Sequence, residues 1–367
     1  MGTDKRMVDG VVWNFLGFML PRDGYGYGTI KIAEALGRVD PGCHVIGLED
    51  ERDYYGAAAA RSWWLNGRSV LLAVPDFLAQ VDSADGVISY TMFEATRLPA
   101  RWVELLNERA LAVIVPCRWC AEVFRANGVR RPICVVKWGV DGGDYPLDGG
   151  RGGRSGRGGL RGRDDEHGRA RMGTDDERPY TFLWSGTPDK RKGWDLAYRC
   201  FVKAFGKRED VRLVLHFRAL PRGLQGVRDA NVTLVTGLHQ QETLRSMLRR
   251  ADCFVFPSRG EGWGSPPREA AATGLPVIAT NWGGLAEEIE EWALPLRVAG
   301  MSKAEYGFWG DEIGEWAEPD PEHLVELLRW CAAEREQAAA FGLRAGRWLA
   351  QHAGWERTAR GVCEVVR

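Results

Sequence analysis

No apolar run in this sequence approaches the roughly 18 residues that cross a bilayer. The opening stretch, MGTDKRMVDGVVWNFLGFML, carries Asp4 early and has no small-residue cleavage site, so it reads as a buried strand rather than a secretory leader. An excess of one charge is missing too: charged residues make up 27% of the chain, yet the net charge is −1. Such balance gives no overall pull toward nucleic acid or a membrane surface, and any such partner must be met locally. The eight cysteines (Cys43, Cys117, Cys120, Cys134, Cys200, Cys253, Cys331, Cys363) are scattered, mostly in apolar runs such as ADCFVFP, which suits reduced, buried thiols better than a disulfide framework. Cys117 and Cys120 have the spacing of a redox pair or half a zinc site, but no second close pair completes four ligands. Two small residues opening a helix is the better reading. No solenoid-period repeat, Asp-x-Asp near a strand end or convincing catalytic histidine is present. Together these absences point to a soluble, cytoplasmic protein with no transmembrane segment.

What is present is alternation. Short apolar runs (VVWNFLGFML, CHVIGLE, SVLLAVP, DGVISYT, LAVIVP, ICVVKWGV, then YTFLWSG, VRLVLHF, NVTLVTG, DCFVFPS, PVIATN) alternate with helical patterns, the signature of parallel βαβ units. Because the runs are apolar throughout, both faces of each sheet should be covered. The 367-residue length favours two domains. Between them, the Gly- and Arg-rich segment 149–178 is nearly empty of apolar side chains and predicts a disordered linker or insertion. Its run of arginines could contact nucleic-acid backbone, set against a plain tether. The fold class expected is α/β, with two Rossmann-like, doubly wound parallel-sheet domains facing a central cleft, where ligands bind beyond the carboxyl ends of strands.

The stretch RGEGWGSPPREAAATGLPVIATNWGG sets Glu261 and Glu269 on either side of a Gly-, Trp-, Ser- and Pro-containing turn. A strand ending near Pro257, a loop and a helix from about Pro267 to Ala272 are expected, with Gly274 as the stop. A helix start after a glycine-rich segment favours an anion such as a diphosphate. Glu269, in the first turn, can accept hydrogen bonds from two adjacent ribose hydroxyls. Glu261 then faces whatever the diphosphate carries, and Gly262 and Gly264 let the backbone approach it. The competing readings are a dipole-favoured helix carboxylate with a solvated loop charge, and a hydrolase pair, whose required separation the sequence does not fix.

Glu261-x7-Glu269 within FPSRGEGWGSPPREAAATGLPVIATNWGGLAEEI resembles the signature of retaining glycosyltransferases of the family 4 type, which have the two-domain GT-B architecture. FLWSGTPDKRKGWDLAYRCFVKAF resembles the same family's first strand and loop of the C-terminal domain. There Lys192, with Arg191, stands where a basic residue reaches the donor phosphates, and Thr187 replaces the arginine many relatives carry. The resemblance runs through the first half to Trp119 and the Gly-Val-Asp ending at Asp141. It also reaches the terminal AGWERTARGVCEVV, which resembles a helix crossing back to the first domain. It implies an N-terminal acceptor domain at 1–148, a linker at 149–178, a donor domain at 179–345 and a crossing helix at 346–367. The implied activity is a metal-independent, retaining hexosyltransferase with a nucleotide-diphosphate sugar as co-substrate. Glu261, Lys192 and Arg191 would carry the chemistry, and Glu269, Gly186, Thr187, Gly262, Trp263, Gly264, Ser265 and Pro266 would hold the donor. Gly26, Gly28 and Glu94 would face a hydroxyl acceptor of unspecified kind: glycan, lipid, protein or modified nucleic acid.

RDGYGYGTIKIAEALG follows the first strand and opens a helix, which invites a Rossmann oxidoreductase reading with Glu49 or Asp50 on the ribose. The spacing Gly24-x-Gly26-x-Gly28 is not the dinucleotide fingerprint, and that reading leaves the second-half motif unexplained. A nucleotide-sugar-binding protein without transfer activity is the third alternative; intact Glu261, Lys192 and Glu269 argue against it.

Overall fold

The computed structural model describes residues 13–19, 24–48, 63–147, 178–218, 229–237, 241–305 and 312–367. The expected linker at 149–178, apart from Arg178, and Glu49 and Asp50 lie outside them. Arg178 pairs with Asp252.

The first half contains β1 (Trp13–Phe18), α1 (Gly24–Val39), β2 (His44–Leu48), β3 (Trp63–Leu65), β4 (Arg68–Leu72), β5 (Val81–Ser83), β6 (Val87–Tyr90), α2 (Ala100–Arg109), β7 (Ala110–Val115), α3 (Arg118–Ala126) and β8 (Ile133–Val135). Six of these strands form a parallel sheet in the order β2-β1-β4-β6-β7-β8, and β3 pairs with β5 beside it. The second half contains β9 (Tyr180–Gly186), α4 (Trp194–Phe205), β10 (Val211–Phe217), β11 (Val232–Thr236), α5 (Gln241–Arg250), β12 (Cys253–Phe256), α6 (Ser265–Ala272), β13 (Val277–Thr280), α7 (Ile289–Trp292) and β14 (Leu294–Leu296). Its parallel sheet runs β11-β10-β9-β12-β13-β14. The chain ends with β15 (Val298–Lys303), β16 (Glu315–Pro319), α8 (Pro321–Ala333), α9 (Arg335–His352) and α10 (Trp355–Val366). The continuously apolar runs are the central strands: β1, β6, β12 and β13 are buried along their whole length. Each sheet has its own apolar core.

In the second sheet the strand order reverses between β9 and β12, so the loops leaving these two strands diverge to opposite faces and leave a crevice at their carboxyl ends. The loop after β9 carries Arg191 and Lys192; the loop after β12 carries Glu261. Topology therefore brings the two sequence blocks to one place.

Two connections join the halves side by side. Val140 N–H donates to the Ala353 carbonyl at 2.6 Å, and a Cβ on Gly139 would lie 2.6 Å from the Trp355 nitrogen. Beyond this point α10 buries Trp355, Ala359, Val362, Cys363 and Val366 in the first core. The antiparallel β15–β16 pair, which carries no clear periodic signal in sequence, also bridges the halves. Thr96 and Arg97 N–H donate to the Glu315 and Ile313 carbonyls, and Ala317 N–H donates to the Arg259 carbonyl.

Several expectations are corrected. The helix of the central motif starts at Ser265, because Gly264, with φ of 82°, turns the chain and the two prolines fit its first turn. Glu269 is consequently its fifth residue, in the second turn. Gly26 and Gly28 lie within α1 rather than in a loop toward the crevice, and both are buried. A Cβ on Gly28 would stand 2.6 Å from the Trp138 ring, so the close packing of that indole on α1 requires a glycine here. Helix α9 is continuous through 345 and 346, its buried Ala345 and Gly346 included, so the crossing begins after His352.

Candidate active site

Glu261 is 5% exposed. Its Oε1 accepts from Lys192 Nζ at 2.7 Å, Ser258 Oγ at 2.8 Å and Arg191 Nη1 at 3.1 Å, and its Oε2 accepts from Lys192 Nζ at 2.9 Å. Burial alone would raise the Glu261 carboxyl, but the charges of Lys192 and Arg191 outweigh it and hold the group below its ordinary value. Burial, helped by the neighbouring Arg191, lowers Lys192. The three residues expected to carry the chemistry are thus one ion-paired cluster, in which a single carboxylate faces two cations. This differs from the expected arrangement, in which the cations reach phosphate and the carboxylate reaches sugar separately.

Local structure fixes the two cations. Asp189 accepts from Arg191 N–H at 2.8 Å, Trp184 Nε1 donates to the Lys192 carbonyl at 3.0 Å, and Gly193 closes the turn with φ of 71°. Only glycine serves there: the conformation is left-handed, and a Cβ would sit 1.9 Å from the Pro257 carbonyl oxygen. Arg259, 3% exposed, ties the same turn to Asp195 and Glu318. Gly186 lies under Lys192, a Cβ there coming 3.7 Å from that of Lys192, and Thr187 is exposed beside it.

The first domain closes over this cluster. The Glu94 carboxylate stands 3.8 Å from Arg191 Nη2, and its carbonyl oxygen would be 2.1 Å from a Cβ on Gly260. Met92 lies 2.7 Å from the Cβ position of Gly262. The Gly262 carbonyl accepts from Cys117 Sγ at 3.3 Å and Cys120 Sγ at 3.5 Å. Cys117 caps α3, as two small residues opening a helix would, and both cysteines are free thiols. Among the described residues no group of three or more His, Cys, Asp or Glu could hold a metal ion. Trp119 and Trp282 meet edge to face at 4.7 Å between ring centroids, and Glu287 takes Arg118 and Lys137.

Glu269 occupies a different part of the domain boundary. It is 7% exposed and lies beside Tyr145. Burial pushes its carboxyl up to about 7 against the opposing charge of Arg218. Around it Lys31 pairs with Asp141 and Asp144 at 2.7 Å each, and Arg245 also pairs with Asp144. Tyr27 and Tyr145 are raised by burial first and by the Glu269 charge next. The structure thus brings Glu261, Lys192, Arg191 and Glu94 together, with Gly262, Trp263, Gly264, Ser265 and Pro266 leading from them to α6, and sets Glu269 on the hinge side. Sequence reasoning missed Ser258, Tyr145 and Arg218. Ser258 could have been found from its place three residues before Glu261, whereas Tyr145 and Arg218 approach Glu269 only through the fold.

Residues 179–304 match the family described as Glycosyl transferases group 1. The chain is similar to the D-inositol 3-phosphate glycosyltransferase 1 of Catenulispora acidiphila, 30% identical over 197 residues, which cover 50% of this chain and 45% of the relative. It is also similar to the D-inositol 3-phosphate glycosyltransferase of Mycobacterium bovis, 30% identical over 223 residues, covering 57% and 41%. The chain therefore spans less than half the length of these relatives. Among solved structures it resembles sucrose-phosphate synthase from Thermosynechococcus elongatus, with a TM-score of 0.64, 15% identity and 96% and 98% of the two chains covered. Anabaena HepE, solved with UDP and glucose, gives a TM-score of 0.62 at 14% identity, with 97% and 99% covered. The fold is GT-B over nearly the whole chain, and its second domain matches the group 1 glycosyl transferases.

Proposed function

We propose that this protein is a retaining glycosyltransferase that moves a sugar from a nucleotide-diphosphate sugar to an acceptor hydroxyl without a metal ion. The observation that carries the reading is the Glu261–Lys192–Arg191–Ser258 cluster at the carboxyl ends of β9 and β12, covered by Glu94 from the other domain.

Bond breaking leaves negative charge on the departing diphosphate, and two fixed cations in a water-poor crevice stabilise that charge as it develops. Glu261 pairs with both cations, and Glu94 adds a second carboxylate beside Arg191, so the two cations can stay buried at the crevice. A sugar hydroxyl can take over part of the carboxylate's hydrogen bonding, turning Lys192 and Arg191 toward phosphate. The acceptor hydroxyl attacks the anomeric carbon from the face of the departing diphosphate, whose oxygen receives the proton, so no protein base is required. Glu269 would hold the ribose hydroxyls, exchanging its contact with Tyr145 for them. Glu94 would stand toward the acceptor. Domain closure, already present at Gly260 and Gly262, excludes water that would otherwise hydrolyse the donor. Reduced thiols throughout favour a cytoplasmic setting.

The test is incubation with UDP-, GDP-, ADP- and TDP-sugars in the presence of a chelator, following nucleoside diphosphate release and, with an accepted hydroxyl compound, the anomeric configuration of the product by NMR. Since HepE was solved with UDP and glucose, UDP-glucose heads the panel. An inverted product removes the retaining mechanism. Binding of dinucleotide and of none of these sugars removes the transferase reading.

A further inference from the structure

Arg268 is 1% exposed and sits inside the motif helix, with its guanidinium 3.8 Å from the centroid of the Trp263 ring and 4.4 Å from that of the Trp292 ring. Its hydrogen bonds go to main-chain carbonyls: Nη1 to Trp263 and, at 3.4 Å, to Gly264; Nη2 to Gly284 at 2.9 Å and to Glu287 at 3.2 Å. Among the described residues it has no carboxylate in contact, so a full positive charge lies beneath the glycine loop without a directly bonded counter-ion.

The consequence follows from peptide geometry. A trans peptide is planar, with its C=O and N–H pointing in opposite directions. The carbonyl of Trp263 belongs to the same peptide unit as the N–H of Gly264, and the carbonyl of Gly264 to that of Ser265. Drawing both carbonyls onto the guanidinium turns both N–H groups away from it. Gly264, with φ of 82°, lets successive carbonyls converge on one cation. Ser265 is the first residue of α6 and Gly264 its cap, so neither N–H has an intrahelical acceptor. The next two positions, Pro266 and Pro267, have no N–H at all. A helix start that would ordinarily present several amides to an anion keeps fewer, and the buried guanidinium adds its field to those that remain. The same stack holds Trp263, whose Nε1–H is buried without an acceptor among the described residues.

We infer that Arg268 is a positioning residue for the donor diphosphate: it aims and polarises the Gly264 and Ser265 N–H groups as the anion cradle of the glycine loop. This rests on the nucleotide-sugar reading above. It adds an element that the two-glutamate pattern does not contain, a cation acting through the backbone from behind the loop. Against the bland alternative, a cation that merely fills space between two indoles, stand its bonds to two consecutive peptides of the loop that leads from Glu261 to the helix.

The test compares wild type with Arg268→Lys and Arg268→Met by calorimetry against a nucleoside, its monophosphate, its diphosphate and inorganic pyrophosphate. The nucleoside is the one whose diphosphate the wild type binds. Arg268→Met should weaken the diphosphate and pyrophosphate by roughly 10- to 100-fold, while the nucleoside changes less than about threefold; Arg268→Lys should fall between. Equal weakening of nucleoside and diphosphate would show a merely structural role and overturn the inference, as would no weakening. Should the variants not fold, wild type alone decides. In ¹⁵N-labelled protein the Gly264 and Ser265 amide resonances should move on pyrophosphate addition, and unmoved resonances overturn it. If the wild type binds none of the nucleoside diphosphates, the functional reading fails first, and separately.

Discussion

Replacing Glu269 by Gln should separate stability from binding at one position. The folded protein holds this carboxyl at about 7 by burial, whereas its ordinary value is 4.5. Between those two values the folded state binds more protons than the unfolded state, so stability falls as pH rises through the interval and the deficit is complete above about 7. At about 1.4 kcal/mol per pH unit the interval is worth about 3 kcal/mol. Glutamine keeps an acceptor for Tyr145 but cannot ionise. The difference in unfolding free energy, Gln variant minus wild type, should therefore grow by about 3 kcal/mol between pH 4.5 and pH 8, read by urea titration at several pH values. Taking the difference cancels the other titrating groups. Over the same range the variant should bind the nucleotide sugar roughly 10- to 100-fold more weakly, because hydrogen bonds from ribose to a carboxylate are lost. A stability difference that does not change with pH would refute the burial of an ionisable Glu269. Unchanged donor affinity would remove its ribose role.

Lys192→Ala should lower kcat about 100-fold with a smaller change in donor affinity, since its charge acts mainly as the diphosphate departs; a wild-type kcat would mean the phosphates are stabilised elsewhere. Glu261→Ala should cost about 3–5 kcal/mol in urea denaturation, because it leaves Lys192 buried without its paired carboxylate and Arg191 with only the more distant Glu94 and Asp189. In the wild type the contribution of Glu261, whose carboxyl is depressed in the folded protein, should be full above pH 4.5 and disappear as pH falls through its folded value. Gly260→Ala introduces a Cβ 2.1 Å from the Glu94 carbonyl oxygen and should hold the domains apart. We expect a larger radius of gyration by X-ray scattering and a lower kcat, with unfolding free energy changed by less than about 1 kcal/mol; an unchanged radius would show that this contact does not control closure.

The strands were legible because a sheet covered on both faces is written as short apolar runs, and runs such as DGVISYT, LAVIVP and VRLVLHF each became one strand. The motif was legible because Gly264 and Gly274 act through local backbone geometry, each in a left-handed conformation. What stayed hidden was whatever depends on distant elements meeting. Gly28 reads as a glycine facing an acceptor because nothing near it in sequence announces Trp138, more than a hundred positions away. The β15–β16 bridge depends on Thr96 and Arg97 of the other half for its edge hydrogen bonds. The pairing of Glu261 with Lys192 needed the strand-order reversal between β9 and β12, which periodicity does not encode. The start of α6 was misjudged by two residues because either proline suits a first turn, and the deciding feature was the left-handed conformation of Gly264.

The two chain passages at Gly139–Val140 and Ala353–Trp355 touch one another, and that adjacency limits how the lobes can swing. A single tether would leave three rotations available. Two tethers pinned together define an axle, and turning about it is the movement that strains neither. Each opening would then retrace one arc, returning Met92 and Glu94 to the same seats on Gly262 and Gly260 in every cycle.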